Sequence, residues 1–242
     1  MTLTRLGCAG WSISREAAPS FDGPGSHLQR YAAVLNAVEI NSSFYRPHQP
    51  QTYARWADSV PEEFRFSVKL PRSITHEKRL QDSGALLDQF VAEAGTLGKK
   101  LGCVLVQLPP SLALEAAVAA DFLDRLRDRF DCMLACEARH GSWFSDAASA
   151  LLQSRRVIRV IADPPAGQPG PYLPTTDDSY IRLHGSPRMY YSSYAEEYLA
   201  SVAAWLAARA GHQHWCIFDN TAAGAALLNA VQLRQLQAPP QA

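Results

Sequence analysis

The chain has 242 residues, of which 47% are hydrophobic and 19% charged, an ordinary globular composition that leaves no room for extensive disorder. Its 23 basic residues balance 23 acidic ones, which argues against a strongly basic coat for nucleic acid while allowing a local basic pocket. The length permits one large domain or two small ones; no linker divides the chain, and a single domain over residues 1–242 is expected.

Eight short apolar runs have the length and the β-branched or aromatic content of buried strands. They are Arg5–Cys8, Ala37–Asn41, Phe64–Leu70, Gly102–Leu108, Cys132–Glu137, Val157–Ala162, Tyr180–His184 and Trp215–Phe218. Helical spacing of apolar residues falls between them, over Ser26–Asn36, Leu86–Leu101, Val118–Phe130, Ala147–Arg155, Tyr194–Arg209 and Ala222–Leu236. Ser145 is placed to cap the fourth of these helices, and Asn220-Thr221 the last. Asp163–Asp178 contains Pro164, Pro165, Pro169, Pro171 and Pro174, a density that excludes a regular helix. The crossover between strands six and seven is therefore expected to be irregular and proline-rich.

Alternating strands and helices predict an α/β fold with a parallel sheet. Eight units, at a length near the roughly 250 residues typical of the fold, predict closure into a single TIM (β/α)8 barrel. An open sheet of eight strands would leave two edges, and the doubly wound alternative lacks a Gly-x-Gly-x-x-Gly after any strand. The five cysteines, Cys8, Cys103, Cys132, Cys136 and Cys216, are odd in number, lie mostly in apolar runs and form no CxxC pair. They read as reduced thiols of a cytoplasmic protein. The opening residues show no secretory apolar segment, and no run approaches the length of a membrane span, so no membrane partner is expected.

Polar residues close the strands. Glu39 and Asn41 share one strand face, as do Glu137 and Arg139, and Arg182 and His184. Charged groups cannot sit cheaply against an apolar helix layer. These pairs should point inward at the C-terminal mouth, joined by Lys69, Gln107, Asp163 and Asp219. A salt-bridge plug that binds nothing is the plain alternative. Buried ionic networks contribute little to stability relative to apolar packing, which favours a functional reading.

The motifs Gly7–Trp11, Glu39–Arg46, Phe64–Leu70, Ile74–His76, Gln107–Pro110, Glu137–His140 with Trp143, Tyr180–Gly185 and Phe218–Thr221 occur in this order. Together they resemble the YecE-like family, also called domain of unknown function 72, from about Leu6 to about Val231. The resemblance implies a TIM barrel whose motif residues gather in one pocket, without supplying a reaction. Fold-level similarity to endonuclease IV and xylose-isomerase-like barrels points to nucleic-acid or sugar-phosphate ligands. The chain departs from the family at the last strand, where Asp219 stands for the usual Asn and adds a negative charge at the rim. It departs also near Cys8, where Ser or Thr is usual.

Glu39, Lys69, Glu137 and His184 form the expected catalytic set, the glutamates as an acid/base pair with His184 as partner. Arg139 and Arg182, helped by Lys69, are expected to clamp an anion. Asn41, Tyr45, His76, Gln107, Asp163, Tyr191 and Asn220 complete the substrate-binding set. A Schiff base on Lys69 is a minority alternative. No metal or cofactor is expected, since HExxH is absent and the cations would repel a divalent ion. Tyr190, Tyr191 and Tyr194 read as a lid; Trp11 and Trp143 read as packing. The function expected is acid/base chemistry, as a hydrolase, lyase or isomerase, on a small anionic, phosphorylated sugar or nucleotide-like substrate. Two alternatives stand beside it: a nucleic-acid-binding or -processing barrel with a rim of Arg72, Lys78, Arg79 and Arg188, and a non-catalytic metabolite-binding protein.

Overall fold

The apolar runs become strands because Val, Ile, Leu and Phe bury both faces of a parallel sheet covered by helices. A computed structural model describes residues 3–209 and 211–238. Among the described residues the strands are β1 (Leu3–Cys8), β2 (Ala37–Ile40), β3 (Arg65–Lys69), β4 (Leu101–Gln107), β5 (Met133–Glu137), β6 (Val157–Arg159), β7 (Ile161–Asp163), β8 (Ser179–Leu183) and β9 (Gln213–Phe218). The α-helices are α1 (His27–Ala32), α2 (Pro50–Asp58), α3 (Gly84–Ala94), α4 (Ala116–Arg127), α5 (Asp146–Ser154), α6 (Glu196–Ala207) and α7 (Ala225–Gln237). All strand pairs are parallel, in a four-stranded sheet of order β1-β9-β8-β7 and a five-stranded sheet of order β2-β3-β4-β5-β6. The fold is thus α/β with parallel sheets.

The sixth predicted strand is two segments. Up to Val160 the chain follows β5, with the Val160 amide donating to the Cys136 carbonyl. From Ile161 it pairs with Ile181 of β8 instead. The chain changes partner there, and Tyr172 takes the Arg159 carbonyl with its hydroxyl at 2.7 Å. The crossover that follows carries no helix, as its prolines predict. It is held from within: buried Arg159 donates to the carbonyls of Leu173 and Trp143 and to Ser149 Oγ.

Two α-helix starts carry side-chain caps. Ser26 and Gln29 form a reciprocal capping box at α1, and Ser145 Oγ accepts from the Ala148 amide at α5. Helix α2 is not anticipated by apolar spacing. It opens with Pro50 at its first turn, where a missing N–H costs nothing, and buries only Tyr53 and Ala57. The cap of α7 corrects the sequence reading. Gly224, at φ +79°, precedes the helix, while the Asn220 amide donates to Ser192 O and Asn229 Oδ1.

Strand alternation sorts the interior into two apolar clusters. Val38, Ile40, Phe66, Val68, Val104 and Val106 belong to the large core that includes helix residues. Ala37, Cys103, Leu105, Ala135, Tyr180, Trp215 and Ile217 belong to a separate one on the opposite strand faces. Trp143 is buried, its indole N–H donating to the Leu112 carbonyl at 3.0 Å, and Trp11 packs edge-on against Trp56. The five thiols are free. No helix among the described residues is long and apolar enough to cross a membrane.

β1 and β2 approach closely at Gly7, where any Cβ would run into the Ala37 carbonyl and lie 2.9 Å from the Tyr31 hydroxyl. Gly7→Ala is expected to lower unfolding free energy by about 1–3 kcal/mol or more through overpacking. Urea denaturation checks this; a variant as stable as the wild type would mean that the two strands part readily.

Candidate functional site

One buried guanidinium gathers the carboxylates. Arg182, on β8, is 0% exposed. Its Nε and Nη2 donate to Oε2 and Oε1 of Glu39 at 3.0 and 2.7 Å. Nη1 donates to Glu137 Oε2 at 2.5 Å, and Nη2 also reaches Asp219 Oδ2 at 3.0 Å. β2, β5 and the end of β9 are thereby tied to β8. Arginine suits this position because its planar fork stays charged when buried and presents several donors at once. The Tyr180 hydroxyl donates to Glu39 Oε2 at 2.9 Å and lies 2.8 Å from Ser67 Oγ, so the second apolar cluster is sealed directly beneath this layer.

Glu137 is engaged on both oxygens. Its Oε1 accepts from Gln107 Nε2 at 3.0 Å and from Arg139 Nε and Nη2 at 2.9 and 2.7 Å. Burial alone would raise this carboxyl, yet Arg182, His184 and Arg139 hold it well below the usual carboxylate range. Asp219 is held low for the same reason, with Lys69 contributing. His184 places Nδ1 at 3.0 Å from Asp219 Oδ2 and Nε2 at 3.3 Å from Glu137 Oε1; the second contact lacks the alignment of a hydrogen bond. Burial would lower the imidazole, and the two carboxylates outweigh it and raise it.

Above this layer opens a cavity of about 560 Å³. Of the predicted residues, Asn41, Tyr45, Lys69, His76, Gln107, Arg139 and Tyr191 line it. Lys69 closes β3 and is only 4% exposed. Its Nζ stands 4.1 Å from the centroid of the Phe44 ring, and among the described residues no carboxylate lies within ion-pair distance of it. Burial and then Arg182 lower its pKa to about 8, against the opposing pull of Glu39, Glu137 and Asp219. His76 packs edge-on against the same Phe44 ring, with Nδ1 at 2.9 Å from Thr75 Oγ1. Burial, Lys69, Arg72 and Arg139 lower its pKa further, so the ring is neutral near pH 7. Asn41 Oδ1 is buried without a hydrogen-bond partner. Tyr190 and Tyr191 form one wall; Tyr190 sits at φ +69° with its ring edge-on to His184, and Arg188 covers the Tyr191 ring at 3.9 Å. Among the described residues no group of His, Cys, Asp and Glu is arranged to hold a metal ion.

Several placements differ from the sequence reading. Glu39, Glu137, Arg182 and His184 do not line the cavity but form the layer under it. Glu39 and Glu137 meet through Arg182 rather than across a substrate, and Arg182 has three carboxylates on it instead of an external anion. Asp219 lines the cavity as expected, but it is largely buried and bound to Arg182 and His184. Asp163 points away: it pairs in register with Leu183, not Arg182, and its Oδ1 accepts from the Tyr194 hydroxyl at 2.9 Å. That hydroxyl also accepts from the Gly185 amide, so Tyr194 is an anchor and not a lid residue. Asn220 braces the loop at Ser192 instead of facing the cavity. In the expected basic rim, Arg79 donates to Ser111 and Arg72 is paired with Glu77 at 3.0 Å. Phe44 beneath Lys69 is a contact that spacing alone does not reveal.

A parallel α/β molecule with an ionic floor beneath a polar cavity is the class that this geometry defines. The chain belongs to the family described as protein of unknown function DUF72, whose model matches residues 5–242. It is 30% identical over 142 residues to UPF0759 protein YecE of Escherichia coli K12, a match covering 56% of this chain and 52% of that protein; the matched region is thus about half the length of that relative. Against UPF0759 protein YunF of Bacillus subtilis it is 25% identical over 195 residues, covering 74% and 69%. A DUF72 family crystal structure from Thermotoga maritima superposes with a TM-score of 0.79 at 25% identity over 97% of this chain and 98% of that one. One from Enterococcus faecalis gives 0.80 at 23% identity over 99% and 100%.

Removing one partner of a buried ion cluster leaves the others uncompensated. Arg182→Met is therefore expected to lose about 3–5 kcal/mol of stability or to fail to fold at neutral pH. In the wild type the depressed Glu137 contributes stability above its unfolded value of 4.5, lost as pH falls through its folded value. The deficit of Arg182→Met should accordingly shrink as pH drops below about 4.5. Equal stability of the two proteins in denaturant titrations at pH 7 would contradict this layer's energetics.

Proposed function

We propose that this protein is an enzyme that moves a proton on a small anionic substrate, a phosphorylated sugar or nucleotide-like compound, bound in the cavity above Arg182. The two sheets are read as halves of one (β/α)8 barrel, with β6 and β7 as a single bent strand and the cavity at its C-terminal mouth, where barrels carry their chemistry. Two features support closure. β6 runs into β7 through Val160, and an isolated parallel bridge joins Ala9 to Glu39 at the opposite seam.

The observation that carries the function is the state of Lys69. A buried ammonium without a carboxylate at ion-pair distance is costly to the fold, and such costs are kept where a ligand uses them. Arg139 has its Nε and Nη2 on Glu137 and lines the same cavity as Lys69. Together they offer an anion a charge-assisted site. A pKa of about 8 also suits Lys69 to give and take a proton near neutral pH. Glu137 and His184 act as positioning residues beneath, fixing Arg139 and Asp219.

Inorganic phosphate binding, followed by calorimetry, is expected for the wild type and should weaken roughly tenfold or more in Arg139→Gln. Affinity should fall as pH rises through about 8, where Lys69 loses its charge. Binding unchanged by Arg139→Gln and flat across that pH range would remove the anion site. A panel of phosphorylated sugars and nucleotides should contain one compound turned over by the wild type and not by Lys69→Met; tight binding without turnover would contradict the enzymatic reading.

Lys69→Met should also stabilise the fold near pH 7, by up to about 3 kcal/mol, the cost of holding the ammonium against its preferred ionisation. The lysine's folded value lies below its unfolded 10.5, so the cost is full below about pH 8 and fades as pH rises to 10.5. The advantage of the variant in urea melts should fade over the same interval.

A further inference from the structure

We propose that Lys69 is a nucleophile that condenses with the carbonyl group of an aldehyde or ketone whose phosphate end is held by Arg139. This rests on the anion-binding reading above and adds the class of reacting group. The geometry supports it at three points. Lys69 is largely buried yet lines the cavity, is not tied to any carboxylate at ion-pair distance, and has its Nζ against the Phe44 ring. A nucleophilic lysine needs its lone pair free, and an apolar or cationic surrounding achieves this. With a pKa of about 8, roughly one lysine in ten is neutral at pH 7. Arg139 lines the same cavity and is assigned to hold the anionic tail. His76, packed edge-on against the same Phe44 ring and lining the same cavity, is assigned to carry protons between nitrogen and oxygen.

The step balances without an oxidant or reductant. The neutral amine attacks the carbonyl carbon, the C–O π bond opens, and an amine proton passes to oxygen to give a carbinolamine. The second amine proton leaves with that oxygen as water while the C=N bond forms. The imine, once protonated, withdraws electrons from the neighbouring carbon, whose proton or C–C bond is then weakened. Of the lyase and isomerase chemistries that an acid/base site supports, those passing through a carbonyl compound are the ones selected.

The chain makes the test clean, because its 23 basic residues include only four lysines: Lys69, Lys78, Lys99 and Lys100. The full chain is incubated with glyceraldehyde 3-phosphate and sodium cyanoborohydride at pH 7, and the adducts are mapped by peptide mass spectrometry. The expected result is one adduct per chain at Lys69, at least tenfold faster than at the other three, suppressed by excess inorganic phosphate and absent in Lys69→Arg. Labelling spread evenly over the four lysines, or sparing Lys69, would overturn the proposal. Should labelling fail while phosphate binding still depends on Arg139, the covalent step alone is refuted. Should phosphate binding fail as well, the anion site falls with it.

Discussion

The buried ionic layer beneath the cavity depends on Arg182. Three carboxylates from distant stretches of chain are costly to bury together unless a permanent, multidentate cation sits among them. Arg182 meets that condition, with five hydrogen-bonding donors in one plane. It holds both oxygens of Glu39, one of Glu137 and one of Asp219. The pairings also fix which strands face one another, since each partner comes from a different element. Below the layer the apolar cluster around Tyr180 and Trp215 excludes water; above it the cavity opens.

The consequence for the site lies in what the arginine leaves over. The carboxylates are engaged by Arg182, Arg139, Gln107 and His184, and Lys69 is left with a ring beneath it. Its ammonium feels the field of the cluster without a direct partner. An isolated buried charge is unfavourable for folding, so its retention at the cavity wall connects a cost in stability to a property useful for chemistry. Phe44 lies against the amine, and His76 packs edge-on against the same ring.

Much of this was legible in the sequence because strand alternation is a strict rule. The period of two places Glu39, Glu137, Arg139, Arg182 and His184 on one interior side, and they do converge. What alternation cannot give is depth. Two residues along a strand is a rise of about 6.6 Å, so Glu137 lies in the floor while Arg139 lines the cavity, and Glu39 lies below Asn41 in the same way. The two arginines, both read as an anion clamp, therefore part: Arg182 is the hub of the floor and partly buried Arg139 lines the cavity. Asp163 was misread because the sixth apolar run changes sheet partner at Val160, which no local pattern announces, and the carboxylate falls on the helix side with Tyr194. Helix α2 escaped detection because Tyr53 and Ala57 are its only buried residues, too few for a periodic signal. The parallel α/β class survived all of this, since it follows from the alternation of strand and helix and not from any one side chain.

The most direct check on the account is the proton titration of Lys69 itself, followed by NMR of the side-chain Cε–Hε resonances in protein labelled at lysine. With four lysines, Lys69→Arg assigns the signal. A midpoint near 8 that moves upward when phosphate is added is the predicted result. A midpoint at the ordinary lysine value near 10.5, indifferent to phosphate, would show that the amine is solvated or paired and would contradict the account.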